Sequence, residues 1–298
     1  MPALRGSVAG MLPPESIGVT LIRDGGRLAG AIGVTLAEGY REAQGLLAHI
    51  MESSRARIAA NHRDSIPACA RSAYDALIER RLWGEPFAYL VGSAGFYGLD
   101  FLTTPEVLIP RPETELLVDA ALERLQETGS PKVLDLGTGS GVLAVTLARL
   151  RPQAQVTAAD NSMGALAVAR ENAARLGAEN VRFLQSDWYE ALTGERFDLI
   201  VSNPPYVAAG DRRLAEADLR FEPRCALDGG EDGLDGIRTI LRNAPSYLNP
   251  DAWLLLEHGY EQAAHCRQLL VAAGMASTFS LRDLAGIERV SGGKTQSR

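Results

Sequence analysis

Short apolar runs alternate with helical patterns along the second half of this chain, and that alternation limits the folds open to it. The runs lie at residues 132–136, 155–160, 180–185, 197–202, 253–257, 276–281 and 287–291. Between several of them, as at 142–150 and 165–176, apolar residues recur at helical spacing. Such alternation predicts a mostly parallel sheet covered by helices on both faces. We therefore predict an α/β fold for this part of the chain.

The first third of the chain has a helical texture instead. Between residues 18 and 84, apolar side chains such as Leu46, Leu47 and Ile50 recur at helical spacing. About four helices are predicted here, one of them poorly defined over 20–32 because glycine lowers helical propensity.

These textures predict a division of the chain into segments. We expect a tail over 1–17, a helical domain over 18–84, a linker over 85–110, an α/β domain over 111–291 and a second tail over 292–298. The linker mixes glycines with aromatic and β-branched residues, which predicts a β-hairpin between the domains. The helical domain carries no catalytic constellation of its own, so we expect it to recognise a substrate.

Composition disfavours several classes of protein. The net charge of −7 argues against stable wrapping of a nucleic-acid backbone. The three cysteines, Cys69, Cys225 and Cys266, are scattered and form no CxxC pair, so neither a disulfide framework nor a metal site is expected. Reduced thiols indicate a cytoplasmic protein. No apolar run reaches the roughly 18 residues of a membrane span, so no membrane partner is expected.

A glycine-rich loop directly follows the first predicted strand and opens a helix. Gly137, Gly139 and Gly141 allow a tight turn and a close approach to a ligand, and Thr138 and Ser140 lie between them. The loop has no GK[ST] ending, and its GxGxG spacing differs from the GxGxxG of most dinucleotide folds. Both features disfavour a phosphate loop and favour a site for a different cofactor.

Polar and aromatic residues stand at the ends of the next two predicted strands. Asp160 lies 19 residues after Gly141, where a carboxylate can accept bonds from both hydroxyls of a ribose. The alternative for Asp160 is a helix N-cap. Asp187 can accept from an adenine amino group and Trp188 can cover the adenine ring, although a half-buried tryptophan at a strand end is nearly as good an interpretation. Three strand ends directed at one ligand are typical of the crevice of an open α/β sheet.

The fourth predicted strand runs directly into Asn203, Pro204, Pro205 and Tyr206. Two prolines remove two N–H donors and fix two φ angles, which gives a rigid loop with free carbonyl oxygens. A Pro-rich turn is the structural alternative. Because the motif follows a strand beside the cofactor crevice, we predict a catalytic loop.

The catalytic loop suits chemistry on a planar NH2 group. Such a nitrogen is a poor nucleophile because its lone pair is delocalised. Asn203 Oδ1 and the Pro204 carbonyl would accept hydrogen bonds from its two N–H groups and so hold the nitrogen in place. The same bonds would favour the positive charge that develops as the nitrogen attacks a methyl sulfonium. Orientation and charge stabilisation would supply most of the rate, without a strong base.

Several stretches together carry a family resemblance. They are residues 84–92, 107–115, 133–141, 203–206, 221–227, 228–234 and 283–289. They resemble the class I S-adenosylmethionine-dependent methyltransferases and, more closely, the peptide chain release factor glutamine N5-methyltransferases (HemK/PrmC family). The resemblance extends from about residue 37 to the C-terminus, and the sequence IPRPETE at 109–115 is specific to this family.

This resemblance implies a helical domain, a β-hairpin and a seven-stranded, Rossmann-like sheet. It implies S-adenosylmethionine as methyl donor, no metal, and methylation of the glutamine amide in the GGQ motif of release factors. By resemblance, residues 137–141 with Asp160, Trp188 and Asn203 would line the cofactor, and residues 203–206 the substrate amide. The family usually has Glu near position 95, where this chain has Gly95.

Other functions are less well supported. An amino methyltransferase acting on adenine or guanine in DNA or RNA fits the catalytic loop, but the acidic charge and IPRPETE disfavour it. A regulatory cofactor-binding protein is disfavoured by the intact catalytic loop, and a dehydrogenase by the GxGxG spacing. For Arg111 and Glu113 two interpretations stay open: the chemistry of a helix N-terminus, and shaping of the mouth of the site.

Overall fold

The chain forms two compact units. The computed structural model describes residues 13, 15–125, 129–215 and 218–296. The boundary between the units falls after Gly92, which gives a first unit Met1–Gly92 and a second unit Ser93–Arg298. This boundary lies eight residues beyond the predicted end of the helical domain at Gly84, because the segment after Gly84 is itself helical. The predicted tail over 1–17 lies mostly outside the described residues, but Ile17 already begins a helix.

The first unit is helical, as predicted. Its helices are α1 (Ile17–Ile32), α2 (Leu36–Ile50), α3 (Arg55–Ala60), α4 (Ala68–Leu82) and α5 (Phe87–Val91). Leu21, Leu46, Tyr74 and Ile78 are fully or almost fully buried in one core that these helices share. The predicted apolar periodicity therefore marks the buried faces of the helices.

Helix α1 corrects one expectation. The segment over 20–32 is a continuous helix, with a Ser16 side chain that caps its first turn. A Cβ added to Gly25 would lie 2.7 Å from Tyr40 Cα, and one added to Gly39 would collide with the carbonyl oxygen of Gly25. The glycines therefore permit close packing of the α1 and α2 backbones, and that packing outweighs their low helical propensity.

The predicted hairpin is present but shorter than the segment 85–110. Strands β1 (Ser93–Phe96) and β2 (Leu99–Leu102) pair antiparallel. They are joined by Tyr97 and Gly98, both of which have positive φ angles (51° and 72°). Two residues with φ > 0 are typical of a type I′ turn, which matches the twist of a hairpin. Helix α5 occupies the aromatic-rich part of the segment before β1 and ends at Gly92, which has φ 73°.

The second unit has an α/β fold built on a seven-stranded sheet. Its elements are α6 (Glu115–Arg124), β3 (Lys132–Leu136), α7 (Val142–Leu150), β4 (Gln155–Asp160), α8 (Met163–Leu176), β5 (Val181–Gln185), β6 (Phe197–Ser202), α9 (Asp235–Tyr247), β7 (Leu248–Glu257), α10 (Ala263–Ala272), β8 (Ala276–Arg282) and β9 (Glu288–Lys294). The strand order is β5-β4-β3-β6-β7-β9-β8. Strand β9 is antiparallel to β7 and β8, and the other neighbours pair in parallel. The prediction of a mostly parallel sheet is confirmed.

Helices cover both faces of the sheet. On β3, Val133 belongs to a core cluster that includes Leu117 of α6 and Leu143 of α7. The next residue, Leu134, belongs to a second cluster that includes Ile237 of α9. Because successive side chains of a strand point to opposite faces, this alternation places helical layers on both sides.

The last strand extends further than predicted. Residues 292–294 belong to β9 and not to a tail. Gly292 pairs with Leu255, and a Cβ at Gly292 would lie 2.5 Å from Leu255 Cδ2. Glycine thus lets β9 lie close to β7, so its presence marked tight packing here and not the end of the sheet. Residues 297–298 of the predicted tail lie outside the described residues.

Candidate functional site

A cavity opens at the carboxyl ends of β3, β4, β5 and β6, and we call it the strand-end cavity. From β3 the chain continues to β4 and β5 on one side and then crosses to β6 on the other side of β3, so this is the switch point of the sheet. Of the predicted site residues, those that line this cavity are Gly137, Thr138, Ser140, Asp160, Asp187, Trp188, Asn203 and Pro205. The three predicted strand ends and the catalytic loop therefore meet at one place.

A second cavity adjoins the first, and we call it the tyrosine cavity. Its lining includes the other two residues of the catalytic loop, Pro204 and Tyr206, together with Arg289. Asn203 and Arg111 line both cavities. Asn203 thus stands at the boundary between the two spaces.

The glycine loop is held against the sheet by its own backbone. Gly137, Gly139 and Gly141 all have positive φ angles (69°, 56° and 84°), which other residues rarely adopt. The N–H groups of Gly137 and Thr138 donate to the carbonyl oxygen of Ala159 in β4, at 2.8 and 3.0 Å. Gly141 does not line the cavity; it is the N-cap residue of α7 and packs against Ala169 of α8.

Asp135, near the end of β3, forms hydrogen bonds that hold the glycine loop in place. Its Oδ2 accepts from Thr138 Oγ1 at 2.6 Å and from the backbone N–H of Ala144 at 3.1 Å. The side chain is fully buried, and its Oδ1 has no hydrogen-bond partner among the described residues. Burial raises the pKa of Asp135 to about 7, against the lowering effect of the two hydrogen bonds.

Asp160 does not cap the following helix. Ser162 is the N-cap of α8, with its hydroxyl accepting from the N–H of Ala165 at 3.1 Å. Asp160 instead accepts from the N–H of Gly139 through Oδ2 and from the N–H of Ser162 through Oδ1, both at 2.9 Å. Burial raises the pKa of Asp160, and the backbone N–H donors oppose that effect. A carboxylate has about four acceptor positions, so the backbone donors do not use all of them.

Trp188 is held in an uncommon backbone conformation beside the cavity. Its φ angle is 47°, a region that bulky residues rarely adopt, and its carbonyl oxygen accepts from Ser186 Oγ at 2.8 Å. A Cβ on Gly236 would lie 3.2 Å from Trp188 Cζ2, so that glycine makes room for the indole. Asp187 is exposed at the rim of the cavity.

The catalytic loop presents acceptors that the protein does not use. Asn203 Nδ2 donates to Thr114 Oγ1 at 3.1 Å, which leaves Oδ1 as the free edge of the amide. Within the described parts of the chain, nothing donates a hydrogen bond to the carbonyl oxygen of Pro204. Two acceptors on neighbouring residues can bind the two N–H groups of one planar NH2.

The catalytic loop contacts a buried carboxyl group, that of Glu257, which the sequence analysis did not identify. Tyr206 Oη donates to Glu257 Oε1 at 3.2 Å, and Glu257 is almost fully buried at the end of β7. Burial raises the pKa of Glu257 to about 7, while the hydroxyls of Thr114 and Tyr206 favour its ionised form. Burial likewise raises the pKa of Tyr206. The available signal was an acid at the end of a predicted strand, but periodicity does not reveal that β7 lies beside β6.

Arg111 connects two loops at the mouth of both cavities. It forms an ion pair with Glu222, whose side chain is buried. The other oxygen of that carboxylate accepts from the backbone N–H of Ile109 at 2.9 Å. The loop that contains Ile109 and Arg111 is thus tied to the segment around Glu222. This favours the interpretation of Arg111 as part of the mouth, while Pro112 begins the short 3₁₀ turn before α6.

Two other kinds of site have no counterpart in the described ranges. No three metal-ligating side chains come together there. In the same ranges, no helix combines the length and apolarity needed to cross a membrane.

Comparison with known proteins gives consistent matches over the chain. Residues 33–92 match the model of the PrmC N-terminal domain, and residues 113–221 match that of the methyltransferase small domain. The chain is 53% identical over 253 residues to the release factor glutamine methyltransferase of Bordetella pertussis, covering 85% of this chain and 93% of that protein. It is 48% identical to the enzyme of the same name from Xylella fastidiosa, covering 85% and 92%. Among solved structures, a methyltransferase from Pyrococcus furiosus is similar in fold, with a TM-score of 0.52, 20% identity and coverage of 74% of this chain and 98% of the other.

Proposed function

The chain belongs to the family of release factor glutamine methyltransferases, and we propose that it transfers a methyl group from S-adenosylmethionine to the side-chain amide nitrogen of the GGQ glutamine in peptide chain release factors. The observation that carries the proposal is the position of Asn203, which lines both the strand-end cavity and the tyrosine cavity and has an amide oxygen that the protein leaves unused. A methyl donor in the first and an amide in the second would meet there.

The strand-end cavity offers acceptors and an aromatic face that would suit an adenosine cofactor. Asp160 would accept from a ribose hydroxyl, and Trp188 offers an aromatic face for a base. Asp187 stands at the rim, where it would accept from an exocyclic amino group. The glycine loop lets the backbone approach the ligand closely. S-adenosylmethionine would supply an electrophilic methyl group on a positively charged sulfur.

The residues of the catalytic loop would act on the acceptor by orientation. Asn203 Oδ1 and the Pro204 carbonyl would accept the two N–H groups of the glutamine amide and direct its nitrogen at the methyl group. As the nitrogen bonds to the methyl carbon, the carbon–sulfur bond would break with its electron pair staying on sulfur, and the positive charge that grows on the nitrogen would strengthen its bonds to both acceptors. The methylated nitrogen would then release one proton to solvent, which leaves a neutral N-methyl amide. The rigid Pro204–Pro205 backbone keeps them in place without reorganisation.

Recognition of the release factor would fall to the first unit. A glutamine amide is small and occurs in every protein, so the tyrosine cavity alone cannot select one glutamine. We propose that the helices of the first unit bind the release factor away from the glutamine. This assigns the protein to the cytoplasm, where translation termination takes place.

Mass spectrometry tests the proposal directly. Purified release factor is incubated with the enzyme and S-adenosylmethionine, digested, and searched for one added methyl group on the GGQ glutamine. The methyl group should appear with the unmodified enzyme and not with Asn203→Ala. Duplex DNA and RNA serve as parallel substrates, and methylation of adenine or guanine with an unmodified release factor would favour the nucleic-acid alternative.

A further inference from the structure

Asn203 is attached to a residue from a distant part of the chain. Its Nδ2 donates to the hydroxyl of Thr114, 89 residues earlier in sequence, at 3.1 Å. Thr114 ends the 3₁₀ turn Pro112–Thr114 and is 1% exposed. The Asn203 amide is therefore held by one buried side chain. Whether the Thr114 hydroxyl accepts or donates decides which end of that amide it binds.

A second buried group, the carboxyl group of Glu257, bears on the same hydroxyl. The Thr114 hydroxyl lies beside this carboxyl group and favours its ionised form, and the Tyr206 hydroxyl donates to Oε1 at 3.2 Å. The second oxygen, Oε2, has no hydrogen-bond partner within the described part of the chain. In its ionised form Glu257 can only accept, so it would attract the Thr114 proton and leave the lone pairs of that hydroxyl for Asn203.

We propose that Thr114 and Glu257 are positioning residues for methyl transfer, because together they determine which edge of the Asn203 amide faces the acceptor. The inference rests on the function proposed above. The oxygen and nitrogen of an asparagine amide are nearly the same size, so hydrogen bonding decides its orientation. With Glu257 and Thr114 in place, Nδ2 is bound to Thr114 and Oδ1 is left to accept from the glutamine NH2. A reversed amide would present a donor to a donor.

Substitutions at Thr114 test the first link. Thr114→Val keeps the shape but removes the hydroxyl, and kcat should fall about tenfold to hundredfold because the Asn203 amide loses its partner. Thr114→Ser keeps the hydroxyl and should restore kcat to within about threefold of the original. Thr114 lines the strand-end cavity, but Asp160, Trp188 and the glycine loop are unchanged in both variants. S-adenosylmethionine affinity and KM for the release factor should therefore stay within about threefold.

Thr146 provides a matched control. It is a fully buried threonine of α7 whose hydroxyl has no hydrogen-bond partner among the described residues. Thr146→Val removes the same atom from an equally buried site in the same unit. Its kcat should be unchanged, so a loss confined to Thr114→Val cannot be a general effect of removing a buried hydroxyl.

Glu257→Gln tests the second link. A glutamine can donate to Thr114, which lets the hydroxyl donate to Asn203 and turn the amide around, so kcat should again fall about tenfold or more. Residues that act through one chain of contacts are not additive. The kcat of the double variant Thr114→Val/Glu257→Gln should therefore lie within about threefold of the kcat of the slower single variant.

The outcomes separate this inference from the proposed function. If the unmodified enzyme does not methylate the GGQ glutamine, the proposed function fails. If the unmodified enzyme does methylate it, two results would show that the positioning role is wrong. One is an unchanged kcat in Thr114→Val, and the other is a double variant in which the kcat losses of the two single variants multiply. Should Thr114→Val fail to fold, Thr114→Ala and Glu257→Gln decide by the same criteria. A loss that appears only in KM or in cofactor affinity also overturns the proposal.

Discussion

Asp160 accepts a hydrogen bond from the backbone N–H of Gly139 at 2.9 Å, so the end of β4 and the glycine loop after β3 are joined by one carboxylate. The same side chain also binds the N–H of Ser162. Asp160 thus belongs to the framework of the strand-end cavity and also lines that cavity.

Asp160→Ala should weaken S-adenosylmethionine binding by roughly tenfold or more. Charge-assisted hydrogen bonds to a ribose would be lost, and each contributes about 1.5–3 kcal/mol. Titration calorimetry measures the change, and Asp160→Asn is the matched control because it keeps the shape but not the charge, and should give a smaller loss. Equal affinity of Asp160→Ala and the unmodified protein would mean that the carboxylate only shapes the loop.

Asn203→Ala should nearly abolish methyl transfer while S-adenosylmethionine affinity changes much less. The side chain acts on the acceptor nitrogen, and its contact strengthens as charge develops, so the loss falls mainly on kcat. Single-turnover kinetics at saturating release factor isolate this step. A normal kcat with a raised KM would show that Asn203 contributes only to substrate binding.

The strands, the glycine loop and the meeting of Asp160, Trp188 and Asn203 could be predicted because each depends on local pattern and strand ends. Periodicity marks a strand, and the carboxyl ends of parallel strands share one edge of a sheet. Two contacts could not be predicted from the sequence, because they join segments far apart in the chain. They are the contact of Asn203 with Thr114 and that of Arg111 with Glu222.

Two segments are more regular than the sequence predicted, and each contains a tightly packed glycine. Gly25 lies in the segment 20–32, which was expected to be a poorly defined helix, and Gly292 lies in the segment 292–298, which was expected to be a tail. Both lie inside regular elements, where a Cβ would collide with a neighbouring helix or strand. Sequence alone gives the conformational cost of a glycine but not the packing that offsets it.

Gly25→Ala should destabilise the first unit by about 1–3 kcal/mol, because the added methyl group would lie 2.7 Å from the backbone of α2 at Tyr40. Gly26→Ala is the matched control one residue later. Nothing lies within 4 Å of its Cβ position, so it should stabilise α1 by about 0.5–1 kcal/mol. Urea unfolding of both variants measures the difference, and a similar effect for the two would contradict the close approach of α1 and α2.

Asp135→Asn should change how stability depends on pH. The folded pKa of Asp135 is raised to about 7 from an ordinary value of 3.8, so the folded protein keeps the proton when the unfolded chain has lost it. Stability supported by the protonated form is present at low pH and falls as pH rises from about 4 to about 7, then stays constant.

Asparagine cannot ionise, so Asp135→Asn escapes this loss. Its free energy of unfolding relative to the original protein should rise between pH 5 and pH 7, by up to about 2–3 kcal/mol, and no further above pH 7. Urea unfolding at pH 5, 6, 7 and 8 gives the difference. A constant difference over the whole range would show that Asp135 is ionised in the folded protein throughout.

Removal of residues 1–92 should separate catalysis from recognition of the release factor. The described residues that line the strand-end cavity all lie at or after Glu106, so S-adenosylmethionine affinity should stay within a few-fold. If the first unit binds the release factor and so raises the local concentration of its glutamine, kcat/KM for intact release factor should fall about tenfold or more. A short peptide that carries the GGQ glutamine makes no such contact and should lose much less.

The comparison uses both substrates with the full chain and with residues 93–298, after circular dichroism and cofactor binding have shown that the shortened protein is folded. Equal losses on peptide and release factor would mean that the first unit supports the active site and does not recognise the partner.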